Sequence, residues 1–156
     1  MTAFSYKDSR SNTVAITGSD QLFIQTYSYL YVTPGVATAK NGASIVKYAA
    51  TCNGVTASNT TGAAIDLGGI SKSGTLDVVV TATDSRGYTV SSTQQITVIP
   101  YAKPKVSDIS LRRTNDIEAE MQLIFKGTIS SIKPETAERN SLLRVRYRYK
   151  LTSASS

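Results

Sequence analysis

Two patterns of alternate residues could meet a ligand: the tyrosines Tyr27, Tyr29 and Tyr31, and the cations Arg144, Arg146, Arg148 and Lys150. In an extended strand every second side chain points the same way, so each set forms a row on one face. Aromatic rows stack on sugar rings or pack into protein interfaces, and basic rows attract phosphates. Catalytic groups are far scarcer. The chain has no histidine, which removes Ser-His-Asp, Cys-His and the commonest zinc arrangements together. Glycoside hydrolysis needs two carboxyl groups facing each other across a cleft. Asp66, Asp77 and Asp84 belong to different segments, while Glu118 and Glu120 sit two apart on one outward face. No loop repeats acidic residues at the spacing calcium requires. No enzyme activity, cofactor or metal is expected.

Each row has a plainer reading. Strands favour tyrosine whether or not a ligand is present, so the stripe could pack on the core or on a neighbouring module. Tyr147 and Tyr149 share parity with Leu143 and Val145 rather than with the cations, so no aromatic group interleaves with the basic row. A solvated face pairing across strands with Glu118 and Glu120 is therefore expected there.

The elements that position these residues read as strands. From Leu76 to Ile99 two alternating patterns flank the turn Thr83-Asp84-Ser85-Arg86-Gly87-Tyr88. Leu76, Val78, Val80 and Ala82 share one face, and after the turn Val90, Ile96 and Val98 keep the same parity, predicting a long hairpin. Gln21 to Val32 is expected as one strand, bent or crossing between sheets, with Leu22, Ile24, Leu30 and Val32 opposite Phe23 and the tyrosines. Val46, Tyr48, Ala50 and Cys52 fall on one face of another strand. Cys52, the single cysteine, is expected to be a buried free thiol. A turn at Asn53-Gly54 and a short strand from Ala63 to Leu67 bring the total to about seven strands, a sandwich signature.

Composition agrees with this organisation. A chain of 156 residues, 40% hydrophobic and 18% charged, suits one domain and part of another. No apolar run reaches the ~20 residues of a membrane-spanning helix. Residues 1–100 carry six basic and five acidic side chains, whereas residues 101–156 carry eleven and six. The net charge of +6 therefore sits almost wholly in the second part. The expected division is a lead-in over 1–19, with at most a short strand at Val14 and Ile16, and a sandwich over 20–99. A proline-containing linker over 100–105 and a partial second β domain over 106–156 follow. In that domain the alternation of Ile109 and Leu111 with Ser110 and Arg112, the run Ile117 to Phe125, and Leu142 to Leu151 read as strands. Three strands leave an apolar face open, so the chain is expected to be a fragment or to be completed by another chain.

Three stretches carry a family resemblance. They are Gln21 to Val32 with Ala39-Lys40-Asn41-Gly42-Ala43 and Tyr48; Asp77 to Gly87; and Tyr101 to Leu111 with Val145-Arg146-Tyr147-Arg148-Tyr149-Lys150. In these the chain resembles minor structural proteins of siphophages that infect Gram-positive bacteria. The resemblance implies a virion component, in the tail or tail tip, built from immunoglobulin-like modules and involved in host-surface attachment. Expected partners are other tail proteins, further copies of the chain and host cell-wall polysaccharide, with neither nucleic acid nor membrane. The fold expected is all-β, an immunoglobulin-like β-sandwich followed by an incomplete second β domain. The alternative is an immunoglobulin-like repeat of a bacterial surface or secreted carbohydrate-binding protein.

Overall fold

In a computed structural model, which describes residues 1–115, 117 and 120–148, the chain is mostly strand. In chain order the elements are β1 (Ser5–Asp8), α1 (Ser11–Thr17), β2 (Leu22–Ile24), β3 (Tyr29–Thr33), β4 (Ile45–Cys52) and β5 (Val55–Asn59). They continue with β6 (Ile65–Gly69), β7 (Gly74–Asp84), β8 (Thr89–Ile99), β9 (Lys105–Arg113) and β10 (Met121–Thr128). A three-stranded sheet has the order β1-β3-β6, a five-stranded sheet the order β2-β8-β7-β4-β5, and β9 pairs with β10 alone.

The first two sheets enclose one core. Leu30, Val32, Ile65 and Leu67 point into it from one sheet, and Phe23, Ala50, Cys52, Val78, Val80, Ile96 and Val98 from the other. The alternation of the β7–β8 hairpin holds through the paired length from Gly74↔Val98 to Thr83↔Thr89. Val90, expected on the inner face, is 42% exposed beside the turn of the hairpin. The turn is closed by Asp84, whose Oδ1 accepts the backbone N–H groups of Arg86 and Tyr88, each at 2.9 Å. Burial opposes the charge on Asp84, but these hydrogen bonds and the Arg86 guanidinium prevail and hold its carboxyl below the usual value. Gly87, at φ 89°, takes a conformation that a Cβ would strain.

The stretch expected as one strand, Gln21 to Val32, is two. β2 runs parallel to β8 in the five-stranded sheet, and β3 lies between β1 and β6 in the other. Between them the fully buried Ser28 accepts the Ile24 N–H on its Oγ at 2.7 Å and donates its own N–H to the Ile24 carbonyl at 2.9 Å. The break resets the alternation. Phe23, assigned by parity to the tyrosine side, is fully buried in the core.

Two further differences have local causes. Val46 is 42% exposed although Ala50 and Cys52 are buried, because β4 is bulged between Ile45 and Lys47 and its parity changes there. Val14 and Ile16 lie in α1 rather than in a strand. The hydroxyl of buried Thr13 bonds the Asp8 carboxylate and the Arg10 carbonyl, and Thr17 bonds back to the Thr13 carbonyl, so this polar stretch finds its partners in a helix.

Residues expected as a lead-in also build the sheet. β1 pairs with β3 from Ser5↔Thr33 to Asp8↔Leu30, and Phe4 is 4% exposed in the core. Gly35 lies so close to the Thr2 and Ala3 carbonyls that a Cβ there would overlap them. Thr2 and Val36 exchange hydrogen bonds at 2.8 Å beside it.

After Ile99, Ala102 N–H donates to Ser130 Oγ at 2.7 Å, and Ser130 Oγ donates to the Ala102 carbonyl at 2.9 Å. The following loop is organised by Glu138, which accepts from Ser131 Oγ, Ile132 N–H and Asn140 N–H; these bonds lower its pKa to about 2. The strand expected from Ile117 begins at Met121, and residues 142–148 form no strand. The rest of that expected strand, with Tyr149, Lys150 and Leu151, lies outside the described residues.

If residues 1–19 are part of this fold, Phe4→Ala will cost about 3 kcal/mol, a fall in Tm of roughly 6–12 °C in circular dichroism. An unchanged melt would return that segment to a dispensable leader.

Candidate functional site

β3 turns Leu30 and Val32 inward, so Tyr29 and Tyr31 lie on the outer face of the three-stranded sheet, both half-buried. Above the Tyr29 ring the Arg10 guanidinium stands 4.0 Å from the centroid, a cation–π contact. One buried carboxylate places both partners: Asp8 Oδ1 accepts the Arg10 N–H at 2.9 Å and the Tyr29 N–H at 3.0 Å. Tyr31 faces Asp66 across the β3–β6 pair. Its hydrogen bond to that carboxylate, together with the negative charge, raises the phenol pKa above its usual 10. Beside Tyr31 an open groove of about 450 Å³ is lined by Lys7, Asp8, Ser9, Ser11, Val14 and Asp20.

Tyr27 does not continue this surface. It lies in the turn after β2, 38% exposed, with its ring edge-on to Tyr101 at 4.9 Å and 84°. Gln25 braces the same junction, its Oε1 accepting the Tyr101 N–H at 3.2 Å and its Nε2 donating to the Ser71 carbonyl at 2.8 Å. The alternate spacing thus spans two places, an outer sheet face and the start of the connector. Arg10, Asp8 and Lys7 join the first of these, and no sequence spacing links them to Tyr29 and Tyr31.

The acids remain apart. Asp66 serves Tyr31, Asp77 accepts from Gln95 Nε2 at 3.0 Å, and Asp84 closes its turn. Among the described residues no three acids or cysteines gather as metal ligands. Cys52 is buried and free, and burial, with Asp77 adding, pushes its thiol above the usual value, away from the reactive thiolate.

Arg144, Arg146 and Arg148 are exposed on a segment without strand structure. The ion pairs among the described residues are Arg86–Asp84 at 3.3 Å and Lys126–Asp108 at 3.1 Å. The expected pairing of Arg144, Arg146 and Arg148 with Glu120 is therefore not made, because residues 142–148 form no strand that would align them. Lys150 and Glu118 lie outside the described residues. Arg144 and Arg146 instead edge a groove against β9 and β10.

The Tyr31–Asp66 bond holds the protonated phenol, so its contribution to stability is complete below pH 10 and disappears as pH rises through the raised folded value. An ultraviolet titration should show one late-ionising tyrosine that Asp66→Asn returns to the common range. An unaltered titration in that variant would dismiss the bond.

The sandwich, the connector and the hairpin all fall within one match: residues 1–152 fit the model of a family described as siphovirus protein of unknown function. Neither a curated protein nor a solved structure gives a significant match. With nearly its whole length matched, the chain belongs to that family of siphovirus proteins.

Proposed function

We propose that the chain is a non-enzymatic structural module of the siphophage tail or tail tip, built on an immunoglobulin-like sandwich, that also contributes to attachment at the host surface. Family membership supports a virion-associated, structural protein of a phage and does not favour the alternative of a bacterial surface repeat. Support for the immunoglobulin-like form comes from strand order. An N-terminal segment is shared between sheets, β2 lies parallel to the last strand β8, and each of the two sheets faces a single core.

The observation that carries the structural reading is the β9–β10 hairpin. It pairs with no other strand among the described residues, and Ile109, Leu111 and Met121 are 67%, 60% and 53% exposed. Such an apolar surface is costly on a free protein and normal on a component that has neighbours. Immunogold labelling of purified particles with antibody to the chain tests this reading. Gold along the tail or at its tip is expected; gold on the capsid, or none, would overturn it.

For attachment, the outer face bearing Tyr29 and Tyr31 offers aromatic surface without a deep pocket, so single contacts are weak and many copies strengthen them. Tyr29→Ser should weaken retention on wall polysaccharide several-fold while lowering Tm by less than about 4 °C, since only an outward ring and one cation–π contact are lost. A large fall in Tm with retention unchanged would make Tyr29 a structural residue only.

A further inference from the structure

The β9–β10 hairpin is amphipathic because of a bulge. Leu111 pairs with Leu123 and Ser110 with Ile124, but beyond the bulge Ser107 pairs with Lys126 and Val106 with Gly127. Asp108 and Ile109 together therefore oppose Phe125, and Asp108 takes φ 51° to allow it. In a regular strand Val106 and Ile109, three residues apart, would point to opposite sides. The bulge puts them on the same side. Val106, Ile109 and Leu111 thus join Met121, Leu123 and Phe125 on one face, and all but Phe125 are exposed.

The other face is mainly polar and internally paired. Arg112 Nε donates to Gln122 Oε1 at 3.0 Å, and Lys126 pairs with Asp108 at 3.1 Å. Solvation suits that face, whereas the apolar one has no covering layer among the described residues.

Over one end of the apolar face runs a groove of about 520 Å³, with Val106 and Phe125 on one side and Leu142 and Val145 on the other. Its charged lining residues are Lys105, Arg144 and Arg146, with no acid among them. We propose that this groove docks an extended segment of a neighbouring virion protein, apolar on the side that enters and carrying carboxylates on its rim. Charge selects that occupant. A second copy would oppose one basic rim to another, whereas an acidic strand supplies both the apolar cover and the counter-charges. The choice of a virion protein rests on the structural reading above, but the chemistry of the groove does not.

The test uses two labelled peptides of equal length, one alternating leucine with glutamate and the other leucine with lysine, with binding to the purified chain followed by fluorescence anisotropy. The glutamate peptide should bind, weaken roughly tenfold when salt screens the rim, and be lost with Val106→Ser, which changes a groove wall. Reversing Arg144 and Arg146 together to glutamate should transfer the preference to the lysine peptide, an outcome that apolar adhesion alone cannot produce. All three side chains involved, Val106, Arg144 and Arg146, are on exposed residues, so the melt of each variant should match that of the parent. Equal binding of both peptides, or glutamate-peptide binding indifferent to Val106→Ser and to charge reversal, would overturn the proposal. So would sedimentation showing a dimer that Val106→Ser dissociates, because a second copy would then be the occupant. The peptides report on the groove wherever gold labelling places the protein, so the two readings fail separately.

Discussion

Between Ile24 and Ser28 the chain leaves one sheet and enters the other, and the rest of the sandwich depends on that crossing. A buried serine makes it possible: Ser28 satisfies both backbone groups of Ile24 at a point where neither sheet can. Ile70 extends the clasp, its carbonyl accepting the Thr26 N–H at 2.7 Å and its N–H donating to the Ser28 carbonyl at 3.4 Å. Phe23 can then enter the core from the five-stranded sheet, and Leu30 and Val32 from the three-stranded one. An alanine at position 28 would leave a buried N–H without its partner, which costs about 1–3 kcal/mol.

The same crossing divides the outer surface. Because β3 restarts the alternation at Tyr29, two tyrosines look outward beside Arg10 and Asp66, while Tyr27 is left in the turn against Tyr101. One aromatic pair thus faces whatever lies beside the sheet. The third tyrosine instead braces the start of the connector, where Gln25 holds the Tyr101 backbone.

The two β units of the chain meet the same physical demand in different ways. In the sandwich, each apolar face is covered by the other sheet, and Val78, Val80 and Ile96 are almost fully buried. The hairpin has comparable alternation but no second layer among the described residues, where its apolar residues are exposed. Membership of a siphovirus family gives this a setting, since proteins of a virion work beside other proteins.

Local alternation determined the β7–β8 hairpin, its Asp84–Gly87 turn and the burial of Cys52, because a period of two over eleven-residue strands leaves little freedom of face. The all-β character was legible for the same reason. What the sequence could not decide is where that period is interrupted. Bulges at Ile45–Lys47 and at Asp108–Ile109, and the break at Ser28, each change parity by a backbone event that leaves almost no mark in residue type. Those events placed Val46 outside, Phe23 inside and Val106 beside Ile109. Helix α1 was likewise hidden, since its threonines owe their partners to Asp8 and to one another rather than to an apolar periodicity. The face bearing Tyr29, Tyr31, Arg10 and Asp66 depends on contacts between residues as far as 35 positions apart, and only strand pairing in three dimensions brings them together.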